Sequence, residues 1–177
     1  MVTIRERQAP LRERYQQEPG AAIQTLRVRG RGADLTDPLH CAVGPTQLPD
    51  ITWRSGAHAA VGGEGDAPCS GDLLLGALAA CQEITLRMVA ANMGIEITEL
   101  SIVVEADWDA RGTLAMGREF PVGIRTIRCR TTVTIADDAR GDRAARLLRS
   151  AERYCVVLDT LRTGVEVDAT IDVRGVA

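Results

Sequence analysis

Thiols are the most reactive groups this chain carries. Its five cysteines are Cys41, Cys69, Cys81, Cys129 and Cys155. Beside them stand two histidines, His40 and His58, and no lysine; all 21 basic residues are arginine. The missing lysine excludes Schiff-base chemistry and a Walker-type phosphate loop. There is no GxSxG turn to build a serine hydrolase around. His40, within a strand pattern, reads as structural, and His58, in a Gly/Ala loop, as a surface residue. Without CxxC or HExxH spacing, no metal site is expected, and no cofactor is implied. Gly62-Gly63-Glu64-Gly65 has the glycines of a phosphate cradle, but Glu64 and Asp66 would repel phosphate, so it reads as a flexible loop. Asp107 and Asp109, two apart at a strand end, read as solvated carboxylates rather than a glycosidase pair.

Two cysteines stand out by position. Cys81 lies inside a strongly apolar helical pattern, and Cys155 follows a second helix 74 residues later. The commonest role of a free cysteine is that of a small buried hydrophobe. Gln82 and Glu83 put polar groups directly beside Cys81, which favours reactivity. The residues alone leave both readings open. An odd cysteine count argues against a static disulfide framework, so paired cysteines would be expected to cycle.

The elements around them follow from periodicity. Residues 1–21 are polar and arginine-rich, a short helix stopped near Pro19-Gly20, and form an arm. Residues 22–177 form a single domain. Strands are expected over 22–29 (Leu26 and Val28 on one face), around Leu39–Val43, and from Ile51 after Pro49-Asp50. The segment 54–71 is loop. Asp72 to Met93 is the strongest helix, with Ser70 as cap and Gly94 as terminator. Its apolar residues cover most of its circumference, so it belongs at the centre of a fold or an oligomer. A strand follows, with Leu100, Ile102, Val104, Ala106 and Trp108 on one face. A second runs over 122–135 with a phase skip that suggests a bulge near Thr126. Asp138–Tyr154 is an amphipathic helix with Ala144, Leu147, Leu148 and Ala151 on one face. A turn, VVLDTLRTG, leads to a last strand with Val165, Val167, Ala169, Ile171 and Val173 alternating. This order is α+β, antiparallel-rich sheets packed around a long buried central helix.

The run Ala67-Pro-Cys-Ser-Gly-Asp-Leu-Leu-Leu-Gly-Ala-Leu-Ala-Ala-Cys81 resembles the central helix of the OsmC/Ohr family, the osmotically induced proteins and organic hydroperoxide reductases. Glu152-Arg-Tyr-Cys155-Val-Val-Leu-Asp-Thr-Leu161 is similar to that family's second cysteine motif. The resemblance implies an OsmC-like fold, an intertwined homodimer with sites at its interface, and thiol-dependent reduction of organic hydroperoxides. Carried over, Cys81 attacks the peroxide, Cys155 resolves it as a disulfide, and an external thiol reductant resets the pair. The family activates its first cysteine with an arginine held by a glutamate. Arg31 and Arg54 are the candidates for that arginine. Gly71 stands at the glutamate position, with Asp72 beside it as a substitute. Cys41, Cys69 and Cys129 are bystanders. The alternatives are a non-catalytic dimer that binds a small apolar ligand, or a redox sensor.

Composition sets the outer bounds. Hydrophobic residues at 45% and charged residues at 25% are those of a globular domain. A net charge of -3 gives no field for nucleic acid or an anionic membrane, and 3% aromatics are too few for base stacking. The start of the chain is charged and lacks an apolar signal region, so a cytoplasmic protein is expected.

Overall fold

The computed structural model describes residues 2–31, 34–136 and 141–173. Helix α1 (Ile4–Gln17) opens on a capping box: the Thr3 N–H donates to Glu6 Oε2 (2.7 Å), and the Glu6 N–H donates to Thr3 Oγ1 (3.2 Å). It docks on the far end of the central helix. Arg5 Nη2 donates to the Asn92 carbonyl (3.0 Å), and Asn92 Nδ2 donates to Gln8 Oε1 (3.2 Å). The cation thus meets the negative end of that helix.

Strands β1 (Val28–Arg31), β2 (His40–Pro45) and β3 (Trp53–Gly56) form one antiparallel sheet in the order β1-β2-β3. Two start later than the sequence pattern suggests: β1 at Val28 rather than Ala22, and β3 at Trp53 rather than Ile51. Ser55, buried on β3, donates its hydroxyl to the Pro68 carbonyl (2.9 Å), which ties the sheet to the approach of the central helix.

Helix α2 (Ser70–Met93) is that central helix. Its cap is Cys69, not Ser70, and the Cys69 N–H donates to Asp72 Oδ2 (2.8 Å). Gly94 ends it at φ +62, with the Ile95 N–H reaching back to the Ala90 carbonyl (2.9 Å). A left-handed residue there suits glycine. The helix is long and apolar enough by composition to cross a membrane. Within this chain it packs against the strand Ile97–Asp107 and the helices Asp142–Tyr154 and Val156–Thr163.

Strands β4 (Ile97–Asp107) and β5 (Thr126–Ile135) make a second, two-stranded antiparallel sheet in which Val104 faces Cys129 and Asp107 faces Thr126. The β4 faces are those expected. The expected bulge near Thr126 is absent: β5 begins at Thr126, and the earlier Val122 and Ile124 lie in the loop. Chain before a strand need not keep the strand's phase. The register shift lies at the opposite end, between Ile97 and Glu99. A short helix, α3 (Ala110–Thr113), interrupts the loop between the two strands.

Helix α4 (Asp142–Tyr154) and helix α5 (Val156–Thr163) complete the fold. Residues 137–140 lie outside the described ones, including the expected helix start at Asp138. The expected turn after Cys155 is α5, an eight-residue helix. Leu86, Ala90, Ile95, Leu147 and Ala151 form the buried core, with Leu100, Val133 and Ile135 against them.

One expectation, the last strand, is not met within a single chain. Residues 165–173 form no strand: Val167 is 78% exposed and Ile171 89%. Helix α2 is covered on one side only, leaving Leu74 and Ile84 exposed. The accessible surface is 13603 Å², against about 8,400 Å² for a compact monomer of 19.0 kDa.

Candidate active site

Helix α2 carries Cys81 at mid-length, facing the junction of α4 and α5, where Cys155 is fully buried. The two side chains are free thiols close enough to perturb one another's ionisation. Burial pushes the Cys81 thiol up. The N–H groups of Val157 and Val156, the Cys155 thiol and the Thr85 hydroxyl outweigh that and lower it overall. Burial raises the Cys155 thiol, and its neighbour Cys81 raises it further. The pair is therefore asymmetric: the Cys81 thiol is the more acidic and the Cys155 thiol the less acidic. The main-chain donors belong to the first turn of α5, where unpaired N–H groups and the helix dipole favour negative charge.

Arg54 and Asp72, also expected at the site, are engaged in contacts of their own. Arg54 Nη2 is bound to Asp66 Oδ2 (2.6 Å). His40 joins them, its Nε2 2.9 Å from Asp66 Oδ1 and its Nδ1 2.8 Å from Asp37 Oδ2. The side chain of Arg31 lies outside the described residues. Asp72 serves the cap at the start of α2, about 13 Å along the axis from Cys81 at 1.5 Å per residue. Gly71 is on the same first turn. Cys41 is exposed on β2, Cys69 is the α2 cap, and Cys129 on β5 is pushed up by burial. His58 caps a short 3₁₀ turn through Nδ1 and packs edge-on against Trp108 at 5.5 Å. Asp107 is held by Arg128 and Thr126, and Asp109 by Arg111 (2.6 Å), so neither is a free carboxylate.

His40, Glu64 and Asp66 could bring ligand atoms within 4.8 Å of one another. Both His40 nitrogens already face carboxylates, and Asp66 holds a guanidinium, which makes the cluster an ion network rather than a metal cradle. With two carboxylate partners, both ring nitrogens act as donors, the arrangement of an imidazolium. Hydrogen bonds to Asp66, then to Asp37, raise the His40 pKa above its ordinary 6.5. Hydrogen bonds from His40, then from Arg54, hold Asp66 at about 2. The His40 contribution is complete below pH 6.5 and is lost as pH rises through the raised value. The Asp66 contribution is complete above its ordinary 3.8 and is lost as pH falls toward about 2. A histidine NMR titration should place the His40 midpoint above 6.5, and Asp66→Asn should lower that midpoint. An unchanged midpoint would contradict the network.

A helix carrying one thiol, a buried second thiol against it and a helix N-terminus at both sulfurs now accompany the two sequence motifs. The model of the OsmC-like protein family matches residues 63–170, more than half of the chain. The chain belongs to the OsmC-like family. No curated protein sequence matches it significantly. Solved structures share its fold at low identity. An OsmC-like protein from Mycoplasma pneumoniae superposes with TM-score 0.60 at 14% identity, covering 80% of this chain and 89% of its own. An organic hydroperoxide resistance protein from Elizabethkingia anophelis gives 0.55 at 14%, covering 82% and 93%. One from Legionella pneumophila, described as a predicted redox protein, gives 0.52 at 19%, covering 82% and 94%. These likenesses establish the OsmC-like fold.

Sequence reasoning missed the first turn of α5 as a source of donors, because main-chain N–H groups leave no residue-type signature. It also missed Thr85. That residue lies one helical turn after Cys81, and the i,i+4 spacing alone puts the two on one face.

Proposed function

We propose that this OsmC-like protein is a thiol-dependent peroxidase that reduces organic hydroperoxides through Cys81 and Cys155. The observation that carries the reading is their proximity, with the acidity of Cys81 raised and that of Cys155 lowered. The Cys81 thiolate attacks the terminal peroxide oxygen; the O–O bond breaks, and the leaving alkoxide takes a proton to become the alcohol. Cys81 is left as a sulfenic acid. The Cys155 sulfur then displaces that hydroxyl as water, forming the disulfide. Two electrons from an external thiol reductant return both thiols. The first turn of α5 supplies main-chain donors that favour the Cys81 thiolate. Adding cumene hydroperoxide to the reduced protein should consume two thiols per chain; no loss would favour the second reading.

That second reading is a dimer that binds a small apolar ligand with inert thiols. It is favoured by the commitment of Arg54 to Asp66 and by Gly71 in place of the family glutamate. In either reading the working unit is a homodimer in the cytoplasm. The exposed apolar face of α2, the unpaired 165–173 segment and the excess surface support a second copy. Sedimentation should give twice 19.0 kDa, and a stable monomer would contradict it.

A further inference from the structure

Guanidinium groups gather at the far end of α2. Arg5 Nη2 donates to the Asn92 carbonyl (3.0 Å), and Arg143 Nη2 donates to the Met93 carbonyl (2.9 Å). Those two cations satisfy the negative end of the helix. Arg12 on α1 and Arg146 on α4 have no such task. Both line a cleft of about 710 Å³ between α1, α2 and α4, a size that suits a small ligand. No acidic side chain lines that cleft. Arg162 and Arg87, by contrast, are neutralised by Glu152 (2.7 Å) and Glu83 (3.1 Å). Arg12 is held by an amide instead: its Nη2 donates to Gln8 Oε1 (3.2 Å), which also accepts from Asn92 Nδ2 (3.2 Å). That bond pins the guanidinium against α2 and leaves its other N–H groups for a ligand. Met88, Val89 and Met93 supply an apolar floor. The cleft therefore offers two positive charges without a counter-charge, beside a hydrocarbon surface.

We propose that this cleft binds a small phosphate monoester with an apolar body, the phosphate held between Arg12 and Arg146 and the body lying on Met88, Val89 and Met93. The fork of a guanidinium matches phosphate oxygens two at a time. A doubly charged head balances both arginines, whereas a singly charged one leaves an uncompensated cation. Free phosphate has the charge but nothing to lay on the floor. A dicarboxylate has the charge but divides it between two separated groups. Recognition uses neither Cys81 nor Cys155, so it does not depend on thiol turnover.

The test is calorimetric titration of the reduced, full-length protein with phenyl phosphate and with phenyl sulfate, which has the same outline and one charge fewer. The pH is kept above the second phosphate pKa of about 6, and salt at about 0.15 M screens diffuse attraction. Phenyl phosphate should bind saturably, one per chain, and about tenfold tighter than phenyl sulfate, the scale of one charged hydrogen bond. Inorganic phosphate and succinate should both bind more weakly than the phenyl ester. Arg12→Gln and Arg146→Gln should each weaken phenyl phosphate about tenfold and bring the two esters toward equal affinity. Both side chains are exposed, so the fold should survive their loss. Arg149→Gln removes the same charge from α4 at an exposed position outside the cleft wall, and should change the affinity less than about twofold. No saturable binding, equal affinities for the two esters, or equal losses in all three variants would overturn the proposal. So would inorganic phosphate or succinate binding as tightly as phenyl phosphate. No peroxide enters these titrations, so their failure is separate from that of the peroxidase reading.

Discussion

Cys81→Ser should abolish peroxide-dependent thiol loss, with the rate falling by roughly a thousandfold or more, as when a nucleophile is removed from a unit whose members act together. A serine hydroxyl at this position is not ionised by main-chain donors and a thiol, and an alkoxide is needed to replace the thiolate. Cys155→Ser should behave differently. Its first turnover should proceed and stop at a Cys81 sulfenic acid, trapped by dimedone, with no disulfide. Stopped-flow measurement of each variant with cumene hydroperoxide separates the two. Equal reactivity of Cys81→Ser and wild type would move the chemistry to another cysteine.

The second large effect is on stability. Leu147 is 1% exposed, packed with Leu86, Ala90 and Ala151 where α4 meets α2. Leu147→Ala should cost about 2–5 kcal/mol through lost burial and the cavity left behind. The neighbouring Leu148, 45% exposed, should cost under about 1.5 kcal/mol on the same change, because little of it leaves water on folding. Urea unfolding at one protein concentration measures both, since the stability of a dimer varies with concentration. Equal costs would mean that the face of α4 is misassigned.

The contrast between these neighbours shows how far periodicity reaches. The i, i+3, i+4, i+7 pattern set Leu147 and Leu148 together on the apolar face of α4, and only packing separates them. Legible features were those written in residue type: Gly94 as the stop of α2, the alternating faces of β4, the short first helix and the α+β order. Other features were not. Val165 to Val173 alternate as a strand does, yet no edge in one chain receives them. Helix α5 is eight residues long, begins without a side-chain cap and was hidden as a turn. For the site, spacing singled out Cys81 and Cys155 but left their roles open. Their pairing came from the family resemblance, and the donors around Cys81 came only from the fold.

The central claim is that Cys81 and Cys155 close a bond between themselves when an organic hydroperoxide oxidises the protein. Peptide mapping by mass spectrometry, after one equivalent of cumene hydroperoxide is added to the fully reduced protein, tests it directly. One dominant cross-link joining the peptides that carry Cys81 and Cys155, reversed by a dithiol, is the expected result. Oxidation confined to Cys41 or Cys69, or Cys81 recovered as an unreacted thiol, would contradict it.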